Sequence, residues 1–155
     1  MIRVTSLLRS LQSAACVLLL AACQGSLTAP SGDVLSGTSW ELVAIQSPDA
    51  AKAHLSIAEP ARFTLHFGAD GRAALRLNCN RGTGAWQAVA SSANAGALTF
   101  GPIATTRALC AAPHLDERVA RELTQLRSYA ISHGRLRLSP TTDGGFLAWQ
   151  PQRQR

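Results

Sequence analysis

The sequence predicts an α+β domain that is mostly β: a curled antiparallel sheet, or partly open barrel, of about eight short strands packed on one helix in the C-terminal half. Three observations lead there. Short runs of alternating apolar residues recur along the chain, separated by turns rich in glycine, asparagine and aspartate. Helical spacing of large apolar residues marks a single stretch, at Leu115, Val119, Leu123 and Leu126. Nowhere does strand alternate with helix in the βαβ manner that builds a parallel sheet. At 155 residues the chain has room for one core and no need of a second.

Residues 39–45 place Trp40, Leu42 and Ala44 on one face and read as the first strand. Residues 46–60 hold Pro48 and Pro60 around a weakly patterned middle and read as a loop. In 62–67, Phe63, Leu65 and Phe67 point inward, and Gly68-Ala69-Asp70-Gly71 supplies the Asp-Gly signal of a hairpin. The chain returns through 72–79, with Ala73, Leu75, Leu77 and Cys79 on one face. A turn is expected at 80–84, followed by shorter strands at 85–89 and 97–100 around a loop at 91–96. Gly101-Pro102 ends this meander, and 103–110 leads to the helix, where Asp116 and Glu117 sit early and Arg127 late, as the macrodipole favours. Strands at 129–131, 136–138 and 146–149 complete the sheet, joined by His133-Gly134 and by 142–145. Trp40, Trp86 and Trp149 read as core or rim residues of that sheet.

The N-terminus carries an address. Residues 1–22 open with Arg3 and Arg9, run through the apolar stretch 14–20, and reach Ala21-Ala22-Cys23, the layout of a secretory signal peptide. The apolar run is too short for a transmembrane helix, which takes roughly 20 residues. Small residues before a cysteine resemble a bacterial lipobox, so Cys23 is expected to be lipidated, with palmitate-type acyl chains, and to become the first residue of the mature lipoprotein. Several acyl chains, at about 0.8 kcal/mol per buried CH₂, make a lasting membrane anchor. Gln24 in place of an aspartate points to the periplasmic face of the outer membrane. Residues 23–34 read as a flexible tether, 35–150 as the folded domain, and 151–155 as a polar, frayed tail.

The formal charge of +6 includes Arg3 and Arg9 of the signal, and the remaining arginines are scattered, with no basic stripe and no interleaved aromatics. That pattern argues against nucleic acid as a partner.

The domain resembles a META domain, the family that includes the HslJ-type envelope proteins. The likeness rests on ordered pieces: residues 35–42 ending in Trp40-Glu41-Leu42, then Phe67 and Gly71, Asn78-Cys79-Asn80 and Gly84, the run 98–107 from Leu98 to Arg107, Cys110, Glu117 and Leu123, and the strands at 129–131 and 136–138. Asn78 departs from the glycine the family usually has before Cys-Asn; asparagine tolerates a left-handed backbone better than most residues, so the turn is expected to survive. The resemblance implies a compact curled sheet with a helix and an envelope role. It implies no catalytic residues and no cofactor.

Cys79 and Cys110 are the two cysteines beyond the export signal and the Cys23 that follows it. In an exported domain a disulfide leads, ahead of a metal pair or a nucleophile. Closing that loop contributes roughly 3 to 4 kcal/mol in the chain-entropy model. Cys110 with His114 raises thiol or zinc chemistry, yet no base, orienter or full ligand set accompanies them. Asn80, Arg81, Thr106 and Arg107 would be neighbours around a Cys79–Cys110 bond and form the candidate binding surface; the plainer reading has the threonines capping turns and the arginines solvated. The leading functional expectation is a non-enzymatic envelope lipoprotein that binds or assists another envelope component. A module holding a small apolar ligand or lipid tail comes second, and a thiol-dependent enzyme third.

Overall fold

Among the described residues, ten strands and one α-helix follow in order: β1 (Ser39–Gln46), β2 (His54–Ser56), β3 (Phe63–Phe67), β4 (Arg72–Leu77), β5 (Asn80–Ser92), β6 (Ala95–Phe100), β7 (Ala104–Thr105), α1 (Asp116–Thr124), β8 (Ser128–Ser132), β9 (Arg135–Ser139) and β10 (Phe146–Pro151). The computed structural model describes residues 34–49, 54–140 and 144–153. The expected signal peptide, Cys23 and nearly all of the tether lie outside the described residues. Among those described, no helix is long and apolar enough to cross a membrane.

The sheet runs β10-β9-β8-β6-β5-β4-β3-β1, every neighbour antiparallel, and β10 also pairs with β1. Where the sequence reads as a curled sheet with an opening, this last pairing closes an eight-stranded barrel, with β2 and β7 added outside the ring. At eight strands a barrel interior is just wide enough for side chains to fill it. Leu42, Ile45, Phe63, Leu65, Phe67, Leu77, Leu98, Leu136, Leu138, Leu147 and Trp149 are all buried there. Phe67 stands edge-on to Trp86 at 5.0 Å between ring centroids.

The helix packs against β4 and β6. Val119 and Leu123 face inward from it, and Leu126, just beyond its end, is also fully buried. Leu115 is the N-cap residue, and Arg127, expected within the last turn, lies after the helix; Arg121 holds that position instead.

Several boundaries differ from expectation for physical reasons. The β4–β5 connection is only Asn78-Cys79, because Leu77 already pairs with Asn80 and Asn78 adopts φ 61°. The expected turn at 80–84 is therefore strand, and Cys79 sits at the exposed tip of the hairpin, off the apolar face. Gly82 and Gly84 serve a close approach instead: a Cβ on Gly84 would lie 3.1 Å from both Ile103 Cγ1 and Pro102 O, where the chain crosses β5 to form β7. The 91–96 loop shrinks to Ala93-Asn94, since β5 and β6 pair almost to their ends. β2 lies inside the expected 46–60 loop; it is a short edge strand that exists through its pairing with β1. The tail is not free at its start, because Pro151 ends β10 opposite Trp40 and Gln152 N–H donates to Ser39 O at 2.8 Å. Val34, placed in the tether by sequence, packs against the core.

Candidate functional site

The β4–β5 hairpin tip brings three consecutive residues to bear on one segment, 106–113, that has no regular structure and links β7 to the helix. The left-handed turn at Asn78 breaks the strand alternation, so Asn78 and Asn80 are both buried, at 1% and 2% exposure, while Cys79 between them is exposed.

Asn80 uses its whole amide. Its Oδ1 accepts from Ala108 N–H at 2.8 Å and from the Thr106 hydroxyl at 2.9 Å. Its Nδ2 donates to Ala108 O at 3.0 Å and to Asp116 Oδ2 at 2.9 Å, with Cys110 Sγ at 3.2 Å. Ala108 thus has both main-chain groups bound by one side chain, and the same side chain ties the segment to the first residue of α1. Asn78 holds the far half: its Nδ2 donates to Ala111 O at 2.7 Å and Pro113 O at 3.1 Å. Its Oδ1 is buried without a partner. Arg62, ion-paired to Glu59, donates to Ala112 O at 3.3 Å. Thr106 is fixed as well, its N–H donating to Arg81 O at 2.9 Å while its hydroxyl accepts from Arg81 N–H at 3.0 Å.

Cys79 and Cys110 are joined by a disulfide, so the pair has neither a thiol nucleophile nor a thiolate ligand to offer. Among the described residues, no group of three or more His, Cys, Asp or Glu is placed to hold a metal ion.

With these attachments the segment is held at 106, 108, 110, 111, 112 and 113, and the long exposed side chains between the attachments are Arg107 and Leu109. Leu109 is 96% exposed, against the usual fate of a large apolar residue. Behind it, a cleft of about 580 Å³ runs between the segment and α1, lined among others by Arg107, Leu109, His114, Asp116 and Glu117. Of the four residues expected to form a binding surface, Asn80 and Thr106 are committed to holding the segment. Arg107 lines the cleft. Arg81 is exposed on β5 opposite Arg76 of β4, outside the cleft lining. Leu109 and the clamp by Asn78 carried no sequence signal, since neither an isolated leucine in a loop nor an asparagine's buried partners has a pattern.

A model of the META domain family matches residues 33–153. No curated protein matches the chain. Two solved structures share its fold. One, determined by NMR, is of a protein from Burkholderia xenovorans, at 21% identity and a TM-score of 0.62, with 78% of this chain and 86% of that one covered. The other is a crystal structure of a DUF4847 family protein from Bacteroides vulgatus, at 14% identity and a TM-score of 0.52, with 79% and 97% covered.

Proposed function

The chain belongs to the META domain family, and from that membership we propose that it is a non-enzymatic lipoprotein of the cell envelope, anchored through Cys23 at the periplasmic face of the outer membrane, that docks another envelope component and assists it in assembly or under stress. The observation that carries the proposal is the immobilised 106–113 segment with Leu109 open to solvent. Ordering a loop on binding costs free energy, and a loop already held by a disulfide and two buried asparagines avoids most of that cost. Chemistry has less support than docking, because Asn80, Thr106 and Asp116 at the cleft are engaged in internal hydrogen bonds and both cysteines are in the bond. A lipid tail or small apolar ligand has little room in the barrel, whose interior is filled by aromatic and aliphatic side chains.

The test is site-specific photo-crosslinking of the intact chain in envelope membranes, with the photoreactive group at residue 109 in one sample and at Thr99, on the outer face of β6, in the other. A discrete adduct from 109 and none from 99 is expected. Equal adducts from both positions, or none from 109, would remove the loop as the docking surface.

A further inference from the structure

We infer that the partner of the 106–113 loop is a serine endopeptidase with an apolar primary specificity pocket, and that the loop occupies its active site as an inhibitor, with Leu109 in that pocket. This rests on the docking reading above and goes further by naming what is docked.

The argument is in how the Leu109–Cys110 peptide bond is held. Leu109 is 96% exposed and so lies within reach of a partner from solvent. The residue before it, Ala108, is bound through both N–H and O to Asn80. The residue after it, Cys110, is bonded covalently to Cys79 at the tip of the neighbouring hairpin. Its followers Ala111, Ala112 and Pro113 are tied by Asn78 and Arg62. The flanking alanines at 108, 111 and 112 leave a narrow profile that an active-site cleft can close on. A partner that merely accepted a leucine would need no attachment on both sides of that bond; a protease target that must survive does.

In the docked complex the catalytic serine oxygen adds to the Leu109 carbonyl carbon. As the C–N bond breaks, the serine proton passes through the enzyme's base to the Cys110 nitrogen, leaving an acyl-enzyme on Leu109 and an amine on Cys110. In an ordinary substrate that amine diffuses away and water takes its place. Here the disulfide keeps the Cys110 amine beside the ester while Asn80 keeps the acyl side in place, so the amine attacks the ester, the serine recovers its proton and the peptide bond re-forms. Retention of the leaving group at high effective concentration favours this reversal over hydrolysis.

The experiment titrates the full chain, with its lipid anchor in detergent micelles, against chymotrypsin, pancreatic elastase and subtilisin. At least one enzyme should be inhibited stoichiometrically, with most of the Leu109–Cys110 bond intact by mass spectrometry after prolonged incubation. Leu109→Asp places a charge in an apolar pocket and should weaken that inhibition at least about 100-fold with an unchanged circular dichroism spectrum and melting temperature. Asn80→Ala and the reduced protein should be cut after Leu109 and turned over. Failure to inhibit any of the three, steady cleavage of the oxidised wild type, or an inhibition that Leu109→Asp leaves intact would overturn the proposal. A residue-109 crosslink in membranes without protease inhibition would leave the docking reading standing and remove only the inhibitor.

Discussion

Asn78 and Asn80 do different work from either side of Cys79. At Asn78 the backbone lies at φ 61° and the side chain holds Ala111 and Pro113. Asn78→Gly keeps the turn and loses the two hydrogen bonds; Asn78→Ala also meets the left-handed penalty, and denaturant titration should place it about 1 kcal/mol below the glycine variant. Asn80→Ala removes the bonds to Thr106, Ala108 and Asp116 together and should cost about 2 to 4 kcal/mol. If Asn80→Ala is neutral in the same titration, the clamp carries no free energy. The left-handed backbone at Asn78 was expected only through the family resemblance; residue patterning placed the turn at 80–84, because the glycines there read as turn residues. The clamp was not legible, because the partners of a buried amide are set by a segment some thirty residues away.

At the scale of elements, α1 is bound by a narrow apolar stripe. Leu123→Ala, fully buried against the barrel, should cost roughly 2 to 5 kcal/mol through the cavity it leaves. Glu122, one residue away, pairs with Arg118 at 2.8 Å near the surface, and Glu122→Ala should cost no more than about 0.5 kcal/mol. Similar losses in the two variants, read from thermal melts, would mean the buried face is misassigned. This stripe was legible because 3.6-residue periodicity is a property of the helix itself. β2 and β7 were not legible, since strands of two or three residues owe their existence to a neighbour's free edge rather than to their own side-chain pattern. The extent of β5 was misread for a related reason: glycines at 82 and 84 look like turn residues, and only the crossing chain at Pro102 and Ile103 explains them.

For the whole molecule, closure of the barrel by β1 and β10 puts the first and last strands side by side. Sequence showed the alternation but not the closure, because pairing of the chain's two ends depends on strand tilt and register around the full circle. Cys23→Ala should abolish incorporation of labelled fatty acid; label in the variant, or none in the wild type, would contradict the anchor. Replacing both Cys79 and Cys110 by serine should cost roughly 3 to 4 kcal/mol in the chain-entropy model while the circular dichroism of the sheet persists. The central claim, that the bond and two asparagines hold 106–113 in one shape for docking, is tested most directly by amide hydrogen exchange across that segment. Ala108 N–H, bound to Asn80 Oδ1 at 2.8 Å, should be strongly protected in the oxidised protein and should lose that protection in Asn80→Ala. Exchange of Ala108 at the rate of an unfolded peptide in the oxidised wild type would contradict the account.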